Sequence, residues 1–255
     1  MLEIKELMRK RPKARRFNAK IINIFDEAKD VKTFRLESPK DWYFLPGQFV
    51  MIWFRDKFGK ENRAYSISSS PLSAINNGFF DLTIKLYGKF THHLWTLKHG
   101  DIIEVGGPYG KFVLDIDSNA PYVGIAGGVG ITPIMSMIRF LIETNSKRKI
   151  LLFYSNRLPD EITFKEELDR YNKELDNFKV IYTLTRLPKE MKHLWNGLTG
   201  RFNAEIFKRE IEEFIGKEEE PEFYICGTIQ MIMSFNQMLV DMGFSEEKIK
   251  YEKFW

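Results

Sequence analysis

The stretch Pro121-Tyr122-Val123-Gly124-Ile125-Ala126-Gly127-Gly128-Val129-Gly130-Ile131-Thr132-Pro133 divides the chain in two. An apolar run leads into glycines, and the strongly apolar segment Ile134 to Ile142 follows. Strand, tight turn and helix in that order form the first β-α unit of an open sheet. Glycines let the backbone approach a pyrophosphate closely. Thr132 is a natural N-cap, and Pro133 suits the first helical position, where its missing N–H would be unpaired anyway. The helix dipole would also favour a diphosphate there. The G-x-G-x-x-G spacing is not met, because Pro133 stands where the third glycine would be, and a glycine-rich turn of purely structural purpose remains the alternative.

Downstream the same alternation continues. Lys149 to Tyr154 reads as a strand, and Thr163-Phe164-Lys165-Glu166 as a capping box opening a helix with Phe164, Leu168, Tyr171 and Leu175 on one face. A strand at 179–184, a helix at 203–215, a strand at 222–226, a helix at 228–242 and a strand at 248–253 complete a mostly parallel sheet with helices on both faces. The charge run Glu218-Glu219-Glu220 is expected in a solvated loop.

Upstream, residues 17 to about 115 carry short strands with hardly a helical pattern. Lys32-Thr33-Phe34-Arg35-Leu36-Glu37 and Leu82-Thr83-Ile84-Lys85-Leu86 alternate polar with apolar, and Pro46-Gly47, Asn76-Asn77-Gly78 and Gly106-Gly107-Pro108 punctuate them. This spacing indicates a small antiparallel barrel or sandwich. Residues 1–16 form a basic arm. Seven Lys/Arg stand there against Glu3 and Glu6, a local +5 in a chain of net charge +4, and a solvated, frayed terminus is expected, with docking of an acidic protein or a nucleic acid as the alternative.

With 44% apolar and 29% charged residues the chain has the composition of a folded globular protein. It lacks the roughly 18 consecutive apolar residues of a membrane span and the apolar core of a secretory signal, so a cytoplasmic protein is expected. Cys226 is the single cysteine, which excludes an intrachain disulfide and a Cys cluster for iron–sulfur or zinc. His92, His93, His99 and His193 show no metal-ligand spacing, and no metal site is expected. No nucleic-acid recognition fold accompanies the basic arm.

Three more clusters carry chemistry. Arg63-Ala64-Tyr65-Ser66 follows the apolar strand Phe49 to Phe54 and can offer a cation for phosphate, a ring for stacking and a hydrogen bond for a heteroaromatic nitrogen, or can be an ordinary strand. Lys85-Leu86-Tyr87-Gly88-Lys89-Phe90-Thr91 ends a strand with a glycine and a hydroxyl at the start of a short helix, an anion site or a routine turn. Gly107-Pro108-Tyr109-Gly110-Lys111-Phe112 is a sharp bend.

In this order and spacing the four clusters resemble the ferredoxin–NADP reductase family, over residues 17 to 255. The resemblance implies a two-domain fold: an N-terminal antiparallel β-barrel that binds FAD, residues 17–116, followed by an α/β parallel-sheet dinucleotide-binding domain, residues 117–255. The family's Arg-x-Tyr-Ser signature falls on Arg63, Tyr65 and Ser66, implying a flavin-diphosphate contact, a ring stacked on the isoalloxazine and a hydroxyl near flavin N5. Its Gly-x-x-Ser/Thr element falls on Gly88 and Thr91, at the FAD diphosphate. Its Gly-Gly-x-Gly-x-Thr-Pro element falls on Gly127, Gly128, Gly130, Thr132 and Pro133, at the dinucleotide diphosphate. Cys226-Gly227 matches the Cys-Gly pair whose sulfur lies by the nicotinamide C4. The ending Tyr251-Glu252-Lys253-Phe254-Trp255 is similar to members with a Glu-x-aromatic ending and a further terminal Trp, which would put Glu252 near Ser66 and Cys226.

The expected function is an NAD(P)H-dependent reductase that moves hydride onto FAD and electrons onward to a separate protein, such as a ferredoxin or an oxygenase component. Family members with fused iron–sulfur modules carry several cysteines, and this chain has one. Phe254 or Trp255 would cover the flavin until nicotinamide displaces it, and Ser66 with Glu252 would handle the accompanying proton. Arg157, with Ser155 and Arg186, could bind a 2′-phosphate and so favour NADP(H), with NAD(H) as the alternative. A flavin-binding electron-transfer or sensor subunit with little independent catalysis is the competing reading.

Overall fold

A computed structural model describes residues 2–56 and 59–254. The chain divides into two compact units, Met1–Ser118 with Met135–Ser146 and Asn119–Ile134 with Lys147–Trp255.

The first unit is built on β1 (Arg15–Ala28), β2 (Val31–Glu37), β3 (Phe49–Asp56), β4 (Gly59–Ser66), β5 (Phe79–Lys85) and β6 (Ile102–Tyr109). They form an antiparallel sheet in the order β4-β3-β6-β1-β2-β5. The sheet curls so that β5 returns to the chain just past β4: Ile67 bridges Leu82, and the Ser68 N–H donates to the Asp81 carbonyl at 2.9 Å. The period-two pattern drives this closure, because Ala19 and Ile21, Phe34 and Leu36, Val50 and Ile52, Phe80, Leu82 and Ile84, and Ile103 and Val105 all point into one buried cluster.

Three helices decorate this unit: α1 (Leu2–Arg9), α2 (Pro71–Asn77) and α3 (Gly88–Trp95). Two of them correct the sequence reading. The basic arm is not a frayed terminus. Met8 is buried, Arg9 reaches Asp117 at 2.8 Å, and the Tyr43 hydroxyl donates to the Lys10 carbonyl at 3.1 Å. Arg16 lies in β1 with its guanidinium 4.0 Å from the Trp53 ring centroid. The arginines that suggested a solvated tail thus cover aromatic surface and pair with carboxylates. The other correction is α2, which needs no long apolar stripe because Ser70 caps it, accepting from the Leu72 N–H at 3.2 Å, Pro71 opens it and Gly78, at φ 69°, ends it. Gly106-Gly107-Pro108 also departs from expectation by lying within β6 and not between strands. Gly106 is there because a Cβ would stand 2.7 Å from the Trp53 ring.

The second unit holds β7 (Tyr122–Gly127), β8 (Ile150–Asn156), β9 (Phe178–Leu184), β10 (Leu198–Thr199), β11 (Glu222–Thr228) and β12 (Ile249–Phe254), all parallel in the order β10-β9-β8-β7-β11-β12. Between them run α5 (Lys165–Glu174), α6 (Ala204–Phe214) and α7 (Ile229–Asp241), while α4 (Ile131–Glu143) begins in this unit and from Met135 onward belongs to the first. The central strands are apolar on both faces, as covered parallel strands are. Val123, Ile125, Leu151, Phe153, Phe223 and Ile225 pack on α6 and α7, with Phe153 stacked on Phe207 at 3.9 Å. Strand order reverses between β7 and β11, and ligands of such sheets bind at the C-terminal ends of the strands beside that switch point.

Two helix starts differ from expectation. A 3-10 turn at Gly128–Gly130 precedes α4, so Thr132 and Pro133 are its second and third residues, and the Thr132 hydroxyl donates back to the Val129 carbonyl at 3.0 Å where an N-cap would accept. At α5 the Thr163 capping box does not form. Phe164 takes a left-handed backbone, φ 61°, which buries its ring and leaves the Thr163 side chain buried rather than over the helix end. Glu218, Glu219 and Glu220 lie in an exposed loop as expected. Among the described residues no helix is long and apolar enough to cross a membrane.

Candidate functional site

In the first unit the site is organised by β4 and α3. Arg63 and Tyr65 are two apart on β4 and so share a face. Phe90, from the first turn of α3, stands against both: its ring lies 6.2 Å from that of Tyr65 at 30°, and 5.4 Å from the Arg63 guanidinium carbon. Phe54 packs behind it at 5.0 Å and also meets His93 at 4.4 Å. The Arg63 side chain remains 56% exposed, with Nη1 on the Asn62 carbonyl at 2.7 Å and Nη2 3.8 Å from Glu61, so its charge faces solvent. Burial holds the Tyr65 phenol well above its ordinary value against the opposing pull of Arg63, which keeps it a neutral ring and a hydrogen-bond donor. Phe90 and Phe54 had no role in the sequence reading, since an aromatic in a short apolar run looks like any core residue.

Gly88 opens α3 at φ 77°, and the space where a side chain would stand is empty to 4 Å. Thr91 locks the turn: its hydroxyl accepts from the Tyr87 N–H at 2.6 Å and donates to the Gly88 carbonyl at 3.1 Å, where His92 Nδ1 also comes within 2.8 Å. The turn is rigid and open above Gly88, the geometry in which first-turn amides receive an anion. Ser66 ends β4, buried and opposite Phe49. The chain after it is pinned tightly. Ser68 bonds Thr83 at 2.8 Å, the Asp81 N–H donates to Ser69 Oγ at 3.0 Å, and Ser136 and Arg139 of α4 donate to the Ser69 and Ser68 carbonyls, each at 2.7 Å.

In the second unit the C-terminal ends of β7, β11 and β12 bring three predicted groups together. Cys226 stands in register with Ala126 on one side and Glu252 on the other. Register neighbours in a sheet face the same way, so thiol and carboxylate are side by side. Burial, reinforced by the Glu252 charge and only partly offset by the Gly227 amide, pushes the Cys226 thiol well up. It is a protonated contact group and not a nucleophile. The glycine turn sits against this pair. A Cβ on Gly130 would stand 2.7 Å from the Cys226 carbonyl carbon and 2.9 Å from the Gly227 Cα, while Gly127 and Gly227 both lie under the Met231 sulfur. Gly128, at φ 52°, has open space where a side chain would stand.

Ser155, next to last in β8, stands opposite Gly127. The loops after β8 and β9 are zipped together: the Thr185 N–H donates to the Asn156 carbonyl at 2.9 Å and the Arg186 N–H to the Arg157 carbonyl at 3.1 Å, with both arginines exposed. The predicted trio Ser155, Arg157 and Arg186 is therefore local to the C-terminal ends of β8 and β9. The backbone of Phe254 pairs with Thr228 in β12, while its side chain and Trp255 lie outside the described residues. Among the described residues no group of three His, Cys, Asp or Glu could hold a metal ion.

Comparison with known proteins matches this division. Residues 18–114 match the oxidoreductase FAD-binding domain family and residues 125–237 the oxidoreductase NAD-binding domain family. A flavohemoprotein of Bacillus thuringiensis subsp. konkukian is 34% identical over 226 residues, 83% of this chain and 53% of that protein. NADH-cytochrome b5 reductase 1 of Coccidioides immitis is 30% identical over 226 residues, 85% of this chain and 70% of that protein. The chain spans about half the length of the flavohemoproteins it matches. In fold it is similar to a ferredoxin NADP+ reductase from Neisseria gonorrhoeae solved with bound FAD and NADP, with a TM-score of 0.80 at 22% identity, covering 95% of this chain and 100% of that one.

Proposed function

For a chain that belongs to the ferredoxin–NADP reductase family of FAD- and NAD(P)-binding oxidoreductases, we propose an NAD(P)H-dependent flavin reductase that passes electrons to a separate redox protein, a ferredoxin or an oxygenase component. The observation that carries this reading is the Cys226–Glu252 register pair set against the glycine turn at the sheet's switch point. A protonated thiol and a carboxylate on adjacent strand ends, with a glycine turn at a helix start beside them, suit a nicotinamide and its diphosphate. The residues of the first unit fit FAD: an exposed guanidinium, a neutral stacking ring and an open left-handed glycine at a helix start lie around Phe90.

Bound FAD would supply a ring that accepts hydride from reduced nicotinamide and releases electrons one at a time. The chain's own residues position and exclude water. Arg63 and the Gly88–Thr91 turn would hold the FAD diphosphate, Tyr65 would stack on the flavin, and Ser66 would hydrogen-bond to it. Cys226 orients the nicotinamide with the small, uncharged contact of its buried thiol, and Glu252 beside it serves the proton that accompanies hydride. Gly127, Gly128, Gly130, Thr132 and Pro133 carry the coenzyme diphosphate. Arg157 and Arg186, held together by the zipped loops, support NADP(H) as the preferred coenzyme through its 2′-phosphate.

Anaerobic mixing of the purified flavin-loaded protein with NADPH, then with NADH, tests the reading. Rapid bleaching of the flavin band, faster with NADPH, is expected. Persistent colour with both coenzymes would reject the enzyme and favour a binding subunit. Ser66→Ala is expected to slow bleaching while leaving the flavin bound.

A further inference from the structure

Behind the glycine turn lies a polar group with no part in the mechanism above. Tyr154, on β8, is fully buried, yet its hydroxyl donates to the Gly128 carbonyl at 3.2 Å. That carbonyl also accepts from the Ile131 N–H that follows the 3-10 turn. The Asn156 amide and Thr163 hydroxyl, both buried, lie near the phenol oxygen without reaching full hydrogen-bond geometry, so the Gly128 carbonyl is what takes the phenol's proton.

A trans peptide is planar and its C=O and N–H point in opposite directions. With the Gly128 carbonyl held toward Tyr154 in the sheet, the Val129 N–H is held away from the sheet. Gly128 is left-handed with open space where a side chain would stand, so no side chain fixes this peptide from the glycine side, and its orientation is held by the bonds its carbonyl accepts from Tyr154 and the Ile131 N–H. Rotation would present a carbonyl oxygen to an incoming anion in place of an N–H. We propose that Tyr154 is a positioning residue that fixes the Gly128–Val129 peptide with its N–H outward, so that the turn receives the coenzyme diphosphate. The inference rests on the reading of Gly127–Pro133 as the diphosphate site. Burial also holds the phenol above its ordinary value, so it stays a donor throughout the neutral range.

Tyr154→Phe keeps the ring and removes only the hydroxyl. In the flavin-loaded protein its Kd for NADP+ and NAD+ is expected to rise by roughly fivefold to tenfold, the equivalent of one lost hydrogen bond. The turnover number at saturating coenzyme should hold, and binding of adenosine 2′-phosphate, which has no diphosphate, should be unchanged. Thr163→Val, which leaves the Tyr154–Gly128 bond intact, should bind as the wild type does. Unchanged dinucleotide affinity in Tyr154→Phe would overturn the proposal. Equal weakening for adenosine 2′-phosphate, or the same loss in Thr163→Val, would overturn it too by showing that the cluster is only packing. Should Tyr154→Phe fold poorly, the wild-type Val129 amide resonance gives the answer: it should shift on adding inorganic pyrophosphate, and a static resonance beside shifting neighbours rejects the assignment. A wild-type protein that binds neither dinucleotide would sink the coenzyme reading itself.

Discussion

Gly128 and Gly130 stand two residues apart in one turn and are glycines for different reasons. At Gly130 the constraint is contact, since any side chain meets the backbone of Cys226 and Gly227. At Gly128 it is backbone conformation alone. Gly130→Ala should therefore destabilise the protein by about 2–3 kcal/mol in urea unfolding, the range for overpacking against an unyielding neighbour. Gly128→Ala should cost only about 1 kcal/mol, the penalty of a left-handed non-glycine residue. Equal losses would show that the backbone of Cys226 and Gly227 yields to the added methyl. From the sequence the three glycines are alike, because a G-G-x-G run shows that the chain must bend or be approached closely without showing which glycine does which. Cys226 was more legible. A lone cysteine after an apolar strand reads by itself as packing, and it was the resemblance of Cys226-Gly227 and of the Glu-x-aromatic ending to the family that paired it with Glu252.

The helix α3 shows how much an element depends on one hydroxyl. Thr91 joins the amide before the helix to the carbonyl that opens it, so both ends of the Gly88 turn run through one oxygen. Thr91→Val keeps the shape and removes both bonds. It should cost about 1–2 kcal/mol and loosen the flavin, read as faster release of fluorescent free FAD on dilution; retention equal to the wild type would exclude the turn from the FAD site. The elements most readable from sequence were those with a period and a stop, such as α6, where Asn203 accepts from the Ile206 N–H at 2.9 Å, and the strands of both sheets. Those misread had local chemistry that a tertiary contact overrode. Thr163 looked like a cap until the burial of Phe164 forced a left-handed backbone, and Thr132 looked like a cap because the 3-10 turn ahead of it leaves no trace in residue type. The α1 segment looked like a tail because its anchor, Asp117, is more than a hundred residues away. Phe90 was passed over for the same reason: its partners Tyr65 and Arg63 come from another strand.

Across the whole molecule, buried acids that are neutral when protonated share one direction. Tyr65, Tyr122, Tyr154, Tyr182 and Cys226 are all raised, chiefly by burial. A folded value above the unfolded one stabilises fully while pH stays below the unfolded value. That stability is lost as pH climbs toward the folded value, because the unfolded chain sheds its protons first. The ordinary values are 9.0 for cysteine and 10.0 for tyrosine, so the urea midpoint should be level from pH 7 to about 8.5 and fall steeply above about 9.5, each withheld proton adding about 1.4 kcal/mol per pH unit. A midpoint unchanged at high pH would contradict the burial of these groups. The proposed chemistry sits at the border of its sheet. Among the described residues β12 borders the sheet with β11 as its one neighbour, and Glu252 rides on it. A thermal fluctuation that unzips this outer ribbon would carry the carboxylate from the thiol while the inner ladder stays closed, so the molecule can fall silent as a catalyst while every bulk optical signal still reads native.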